Sequence, residues 1–364
     1  MKIEAARAVI DLLPLPPDFG LLLRHEAFER STRNSTAIEG NRLQQEAVRR
    51  AVVAGEKTEE EQEQEVRNYW RALDRIEDHA ADSTTISEAF IKELHRVVII
   101  RGAGRRGSQS EYRIMECPVV DSVTKRIDYG PPEPNDVPPL MAELVGWLNS
   151  SEASRLPAPL RAGLLTHRFI SIHPFADGNG RTGRLLATTE LWRSGYKMRG
   201  FLSFDEYFNA DRQRYYSSLQ MGLPVNYYQG RNDPDHTPWL QYFLDTVATA
   251  ASRLHERARD MHSAASEPAV WESLSRREQQ VLTRLLGGVL AGEHQLEIRP
   301  TDVEEWFGVS DRTAREWLNE WVEHEFVEPV ASGAGVRIRA YRLTARWRQL
   351  LEEATHVREN SGTS

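Results

Sequence analysis

The sequence predicts a mainly α protein whose β structure is confined to two short hairpins. Three observations carry this. Apolar residues recur at helical spacing along most of the first two thirds of the chain. β-branched residues broken by turn formers cluster at 112–129 and 327–342. No strand-helix-strand alternation that would build a parallel sheet is present. A chain of 364 residues fits two or three domains, and its character changes at Ser266-Glu-Pro268. The expected division is an N-terminal helical region over 1–82, a core over 83–265, a C-terminal module over 266–356 and a disordered tail over 357–364.

Asp11 to Pro17 is a proline-punctuated lead-in that no helix interior tolerates, and helix begins after it. Helix formers run without proline from Phe19 to Ile38 and stop at Glu39-Gly40-Asn41, because Gly and Asn take the left-handed conformation that ends helices. Gln44 to Ala54 is a second helix, ending at Gly55. The acidic run Thr58 to Glu65 reads as a solvated helix face. It leads into Val66 to Ile76, whose apolar positions 66, 69, 70, 73 and 76 share one side. Ser87 to Ile100 is amphipathic, with Ile86, Phe90, Ile91, Leu94 and Val97 or Val98 inward. Gly102, Gly104 and Gly107 with Arg105 and Arg106 break that pattern, and a hairpin over Tyr112 to Tyr129 follows, interrupted at Asp121-Ser122. Pro131 to Pro139 reads as loop. Helices are expected over Leu140 to Leu148, Pro159 to Ile172 and, after a glycine-rich loop, Thr182 to Ser194.

In the last third, helices are expected over Leu274 to Leu286, over Arg299 to Gly308 with a cap near Thr301, and over Ser310 to Glu325. Gly308-Val309 joins the last two, and Val327 to Arg342, with Gly333 and Gly335 at its centre, forms a two-stranded hairpin. This order resembles a winged helix-turn-helix domain.

Composition narrows the function classes. Hydrophobic residues at 40% and charged residues at 27% are the balance of a globular protein. No stretch approaches the roughly eighteen apolar residues of a membrane span, and Met1 to Arg7 lacks the features of a secretory signal, so a cytoplasmic protein without membrane contact is expected. The single cysteine, Cys117, excludes an intrachain disulfide and a cysteine-based zinc cluster. A net charge of −8 argues against nonspecific coating of nucleic acid.

The stretch His173-Pro-Phe-Ala-Asp-Gly-Asn-Gly-Arg-Thr-Gly-Arg184 concentrates the chemistry. Its Gly178-Asn-Gly180-Arg-Thr-Gly183 also matches a dinucleotide-binding pattern, but that pattern needs a preceding strand and here a helix precedes it. Gly178 and Gly180 let backbone amides turn inward at the N-terminus of a helix beginning near Arg181, which makes a site for phosphate oxygens. Arg181 and Arg184 lie three apart on that helix and can reach one polyphosphate. Asp177 supplies a hard oxygen suited to magnesium bridging two phosphates. His173 can accept a hydroxyl proton near neutral pH. Phe175 packs under the loop, and Asn179 either donates to phosphate or only tolerates a left-handed turn.

These residues resemble the signature loop of the Fic family, His-Pro-Phe-x-Asp-Gly-Asn-Gly-Arg-x-x-Arg, with every fixed position present. Further matches are Pro131-Pro-Glu-Pro134, Leu140-Met141, Trp147-Leu148, His167, Phe169, Tyr215-Tyr216 and Leu219, so the resemblance covers roughly residues 10–250. It implies a helical Fic-like core that transfers AMP from ATP to a hydroxyl of a target protein and releases pyrophosphate. By resemblance, His173 deprotonates a Ser, Thr or Tyr, Asp177 holds Mg2+, and Gly178, Asn179, Gly180, Arg181, Thr182, Gly183 and Arg184 line the ATP site. The hairpin over 112–129 becomes a flap that aligns a target strand, and Tyr215 or Tyr216 flanks the adenine.

Ser35-Thr-Ala-Ile-Glu39-Gly40-Asn41 fits the inhibitory motif of many Fic proteins. Thr36 and Glu39 also have the spacing of a capping box, but Gly40-Asn41 marks the end of a helix, where a capping box has no use. By resemblance, Glu39 pairs with Arg184 in place of the γ-phosphate. Moving a population from almost wholly blocked to almost wholly competent takes about 5.5 kcal/mol of differential binding, whereas an exposed ion pair supplies about 0–1 kcal/mol. The pair must therefore be largely desolvated. Some relatives with this glutamate also remove AMP, and the sequence leaves that open.

In the C-terminal module, Arg312, Thr313 and Arg315 could face DNA, with Arg337, Arg339 and Arg342 on the wing. Asp311, Glu316, Glu320 and Glu323 dilute that charge. DNA binding, protein docking and homodimerisation all remain open, as does a transcription regulator that uses the Fic core as a nucleotide sensor. A changed nucleotide or transferred group is a third possibility.

Overall fold

The computed structural model describes residues 2–13, 15–54, 60–82, 85–99, 111–120, 124–262, 273–293, 297–330 and 338–361. Within these the chain is mainly helical, with two antiparallel two-stranded ribbons. The expected borders at 82/83 and 265/266 fall outside the described residues, as do Gly55, Gly102 to Gly107, Asp121-Ser122, Gly333, Gly335 and Arg337.

The first helix, α1 (Lys2–Leu12), lies where no helix was expected and takes in Asp11 and Leu12, the first two residues of the proline-rich lead-in. Ala6 and Ile10, one turn apart, bury one face of it. Helix α2 (Pro17–Ile38) starts with proline in its first turn, where no amide hydrogen is needed, and ends at Glu39 with Gly40 at φ +105°. Then come α3 (Gln45–Val53), α4 (Glu61–Ala81) and α5 (Glu88–Val98), the last capped by Ser87, whose side chain accepts from the Phe90 amide. The flap is a short ribbon of β1 (Val119–Val120) and β2 (Ile127–Tyr129). Helix α6 (Val137–Leu148) begins inside the stretch expected to be loop, because Pro138 and Pro139 sit in its first turn. After α7 (Ser151–Ser154), α8 (Ala158–Ile172) and α9 (Asn179–Arg193) pack together and hold the glycine-rich loop between them. Helices α10 (Asp205–Ala210), α11 (Arg212–Gln220) and α12 (Thr237–His262) complete this body.

The C-terminal module consists of α13 (Arg276–Leu290), α14 (Pro300–Phe307), α15 (Asp311–Glu323), β3 (Val327–Pro329), β4 (Tyr341–Leu343) and α16 (Ala345–Ser361). The start of α14 is capped by Asp302 accepting from the Arg299 amide at 2.7 Å, not by Thr301. The expected tail is helix through Ser361. Val357 packs against both hydrophobic cores, and that contact makes helix there worthwhile.

One core runs from Ala6 to Ala258, so the regions expected as 1–82 and 83–265 share a single interior. The second unites the C-terminal module with Leu21, Leu22 and Val53 of α2 and α3. Buried charges stitch the two together. Arg24 of α2 donates to Glu77 at 2.7 Å and to Thr283 of α13 at 3.0 Å, Lys197 reaches Glu77 at 2.6 Å, and Arg284 pairs with Asp74. No helix among the described residues is long and apolar enough to cross a membrane.

Candidate active site

Helix α8 ends at Ile172, and His173 takes a left-handed conformation, φ 50° and ψ 57°, that turns the chain out of the helix. Five residues on, Gly178 at φ +76° turns it back into α9. Between these hinges the loop holds itself. The Asn179 side chain accepts from the Phe175 amide at 3.0 Å and donates to the Phe175 carbonyl at 2.8 Å, and the Gly178 amide donates to Asp177 Oδ1 at 2.6 Å. Phe175 is fully buried and stacks on His95, ring centres 3.6 Å apart, while His95 Nε2 lies 2.9 Å from the Asp177 carbonyl. Burial pushes the His95 imidazole down to about 4.

Burial likewise pushes His173 down to about 4, the positive charge of Arg113 adding to it and the Ile170 carbonyl opposing it. At neutral pH the imidazole is therefore an uncharged base. Arg113, which sequence reasoning did not single out, donates from Nε to the His173 carbonyl at 2.8 Å.

The candidate anion site lies at the start of α9. Arg184 is buried and donates to the Ser35 hydroxyl at 2.7 Å, the Ser35 carbonyl at 2.9 Å and Glu39 Oε1 at 2.8 Å. Asp205 lies 3.6 Å from its Nε. Burial alone would lower the Arg184 pKa, but the phenols of Tyr215 and Tyr69 and the carboxylates of Glu39 and Asp205 outweigh it, and the guanidinium is held well above its ordinary value. The Glu39 carboxylate rests directly over Gly180, where a Cβ would stand 2.3 Å from Oε1. Gly180 is thus required for the close approach of an anion to a helix N-terminus. The side chain of Glu39 is 31% exposed and that of Arg184 1%, so the pair is desolvated on the arginine side.

The other expected site residues divide by position. Arg181 pairs with Glu65, and its Nη2 lies 3.2 Å from Asp177, so its guanidinium is engaged by carboxylates other than the Glu39 that meets Arg184. Glu65, expected on a solvated face, is buried and also accepts from Asn41 at 2.8 Å. Nothing in its spacing marked it, because its partner is 116 residues away. Asn179 is spent on the loop backbone. Thr182 is fully buried, and Gly183 meets α8, where a Cβ would stand 2.9 Å from Ile170. Tyr215 is buried with its hydroxyl 3.5 Å from Arg184, whereas Tyr216 is 45% exposed at the rim, its hydroxyl donating to the Ile38 carbonyl at 3.4 Å. Only Tyr216 of the two presents an exposed ring.

Among the described residues no group of three or more His, Cys, Asp and Glu side chains could hold a metal ion. Asp177 is a lone carboxylate, 79% exposed, whose Oδ1 is engaged by the Gly178 amide. That suits a magnesium ion taking its remaining ligands from phosphate and water.

A model of the Fic/DOC family matches residues 85–191. Proteins named Protein adenylyltransferase Fic from Drosophila virilis and Drosophila willistoni are each 32% identical, over 61% and 67% of this chain and 41% and 45% of their own. The Culex quinquefasciatus protein of the same name is 37% identical over 32% of this chain and 20% of its own. The chain therefore spans less than half the length of these relatives. In structure, a Fic-domain signalling protein from Bacteroides thetaiotaomicron aligns with TM-score 0.62 at 24% identity, covering 73% of this chain and 100% of that one. A Fic family protein from Desulfovibrio desulfuricans aligns with TM-score 0.55 at 23% identity, covering 94% and 95%. These likenesses show the fold, and the family match places a Fic/DOC region at residues 85–191, over the loop and its flanking helices.

Proposed function

We propose that this protein transfers AMP from ATP to a Ser, Thr or Tyr hydroxyl of a target protein and that Glu39 restrains it. The observation that carries this reading is the Glu39–Arg184 pair, 2.8 Å long, with the carboxylate over Gly180 at the start of α9. An anion already occupies the place where amides and a buried guanidinium converge. The names of the relatives support adenylyl transfer.

In the reaction the target hydroxyl oxygen attacks the α-phosphorus of ATP, its proton passes to the neutral His173, and the bond from the α-phosphorus to the bridging oxygen breaks to free pyrophosphate. Asp177 would hold magnesium, which when bound neutralises phosphate charge. Arg184 and the amides of Gly178 and Gly180 would bind phosphate oxygens, with Tyr216 beside the base. With Glu39 in place, the γ-phosphate has no counter-charge and the α-phosphate is misaligned for attack. The flap exposes Val119, Val120 and Ile127 beside this site, a surface suited to an extended target segment. The same Glu39 could position water for removal of AMP.

For the C-terminal module the charge pattern favours a protein partner over DNA. Arg312 and Arg315 on α15 are paired within the helix with Glu316 and Asp311 at 2.9 Å, and Arg342 pairs with Glu328 at 2.7 Å. Duplex DNA affinity that falls steeply with salt would reverse this.

The experiment is incubation of the parent and Glu39→Gly with labelled ATP, magnesium and cell lysate, with Glu39→Gly/His173→Ala as control. Label on protein in Glu39→Gly that vanishes with His173 supports the reading. ATP binding without label in any variant overturns it in favour of a nucleotide sensor or another donor.

A further inference from the structure

We propose that Arg113 is a positioning residue that fixes the His173 backbone against both ends of the flap, so that the general base and the docked target share one register. The inference rests on the reaction proposed above and adds a residue to it. Arg113 is buried, and its guanidinium gathers three carbonyls belonging to no helix or strand. Nε donates to His173 at 2.8 Å, Nη1 to Met115 at 3.2 Å, and Nη2 to Pro132. Its own amide donates to the Pro174 carbonyl at 2.9 Å. Met115 stands where the chain enters the flap and Pro132 just after it leaves through Tyr129.

Two features make this more than general packing. His173 carries a Cβ in the left-handed region, which is sparsely populated unless the surroundings dictate it. Arg113 contacts the carbonyl of that residue and of the next, which are the groups whose directions set this turn. Moreover, a planar fork with five donors can serve three carbonyls in different directions, whereas an ammonium on a flexible stem is a point charge without that fixed geometry. Tyr129 adds a second tie, its hydroxyl donating to the Ser171 carbonyl two residues before His173. The flap is thus fastened to the chain on both sides of the candidate base.

The test uses full-length protein in the Glu39→Gly background, with Arg113→Ala and Arg113→Lys. Transfer kinetics are measured beside ATP affinity by calorimetry, and the His173 ring signals are assigned by nitrogen-15 NMR against a His173→Ala spectrum. The expected result for Arg113→Ala is a loss of about 100-fold in kcat, the scale of a reacting group misplaced by about 1 Å. ATP affinity should stay within about twofold, since Arg113 touches no residue of the anion site. Arg113→Lys should keep the fold and recover only a minor part of kcat. The single set of His173 ring signals should become several or broadened sets in both variants. Unchanged kcat and unchanged ring signals in Arg113→Lys would overturn the proposal, as would a fall in ATP affinity that accounts for the whole loss of rate. If Arg113→Ala unfolds, Arg113→Lys decides alone. If even the Glu39→Gly parent transfers nothing, the reaction reading fails, while the ring signals still report whether Arg113 orders His173.

Discussion

Arg184 is the residue on which the proposed restraint by Glu39 depends, because it is buried with its guanidinium committed to Ser35 and Glu39. A ligand that takes over Glu39's contact must displace a carboxylate already matched to a cation and a helix N-terminus. Removing the carboxylate in Glu39→Gly should raise the rate of labelling by about tenfold or more, equivalent to at least about 1.4 kcal/mol of released differential binding. An unchanged rate would sink the restraint. His173 carries a second prediction. Its pKa is lowered to about 4 from an ordinary value of 6.5, so the native imidazole stays uncharged until the pH approaches 4. Transfer by Glu39→Gly should therefore show no acid limb near pH 6.5. The NMR midpoint of the His173 ring should lie near 4, and a midpoint near 6.5 would show that the ring is not buried as described. The unfolded chain takes up this proton at 6.5 and the native one at about 4, so this group's contribution weakens native stability as pH falls through that window.

At the scale of the element, the loop between α8 and α9 is held by its own side chains. Asn179 satisfies both the amide and the carbonyl of Phe175, and Phe175 stacks on His95 of α5. Asn179→Ala removes both partners inside a buried turn, at a cost of about 1–3 kcal/mol for polar groups left unsatisfied. Urea unfolding should show that loss together with a fall in transfer rate. Full stability would mean that the loop is held by α5 alone. Asn179 was legible as a loop residue, but whether it faced a phosphate or the turn was not, because both roles call for the same short amide. The same limit explains Thr182 and Gly183, which lie in the motif yet meet α8, and Tyr215, which lies beneath Arg184 while its neighbour reaches the rim.

Across the whole molecule, α2 is a beam between two cores. Its first half contributes Leu21 and Leu22 to the C-terminal core, and its end carries Ser35 and delivers Glu39 to Arg184. Glu77 sits where the two bodies meet, accepting from Arg24, Lys197 and Gln280. Burial raises the pKa of this carboxyl, but Arg24 and Lys197 outweigh it and the net direction is down. Its stabilisation is therefore fully present above the ordinary carboxylate range and is lost as pH falls through the depressed native value. Glu77→Ala leaves buried cations uncompensated and should cost about 3–5 kcal/mol. The measurement is the urea midpoint at pH 7, and a shift worth under about 1 kcal/mol would mean that solvent or a neighbour compensates Arg24.

The sequence by itself determined the helical class, the two ribbons, the stop at Gly40 and the twelve-residue loop from His173 to Arg184, because period, turn chemistry and motif are local properties of neighbouring residues. It missed α1 and the helix over 357–361, whose helical state is supported by burial against distant helices. Tertiary structure alone decided that Glu65 is Arg181's partner, that Asp205 and Tyr69 surround Arg184, and that Arg113 reaches His173. These pairs lie far apart in the chain, and only the folded packing, which excludes water and fixes directions, brings them within hydrogen-bonding or electrostatic reach.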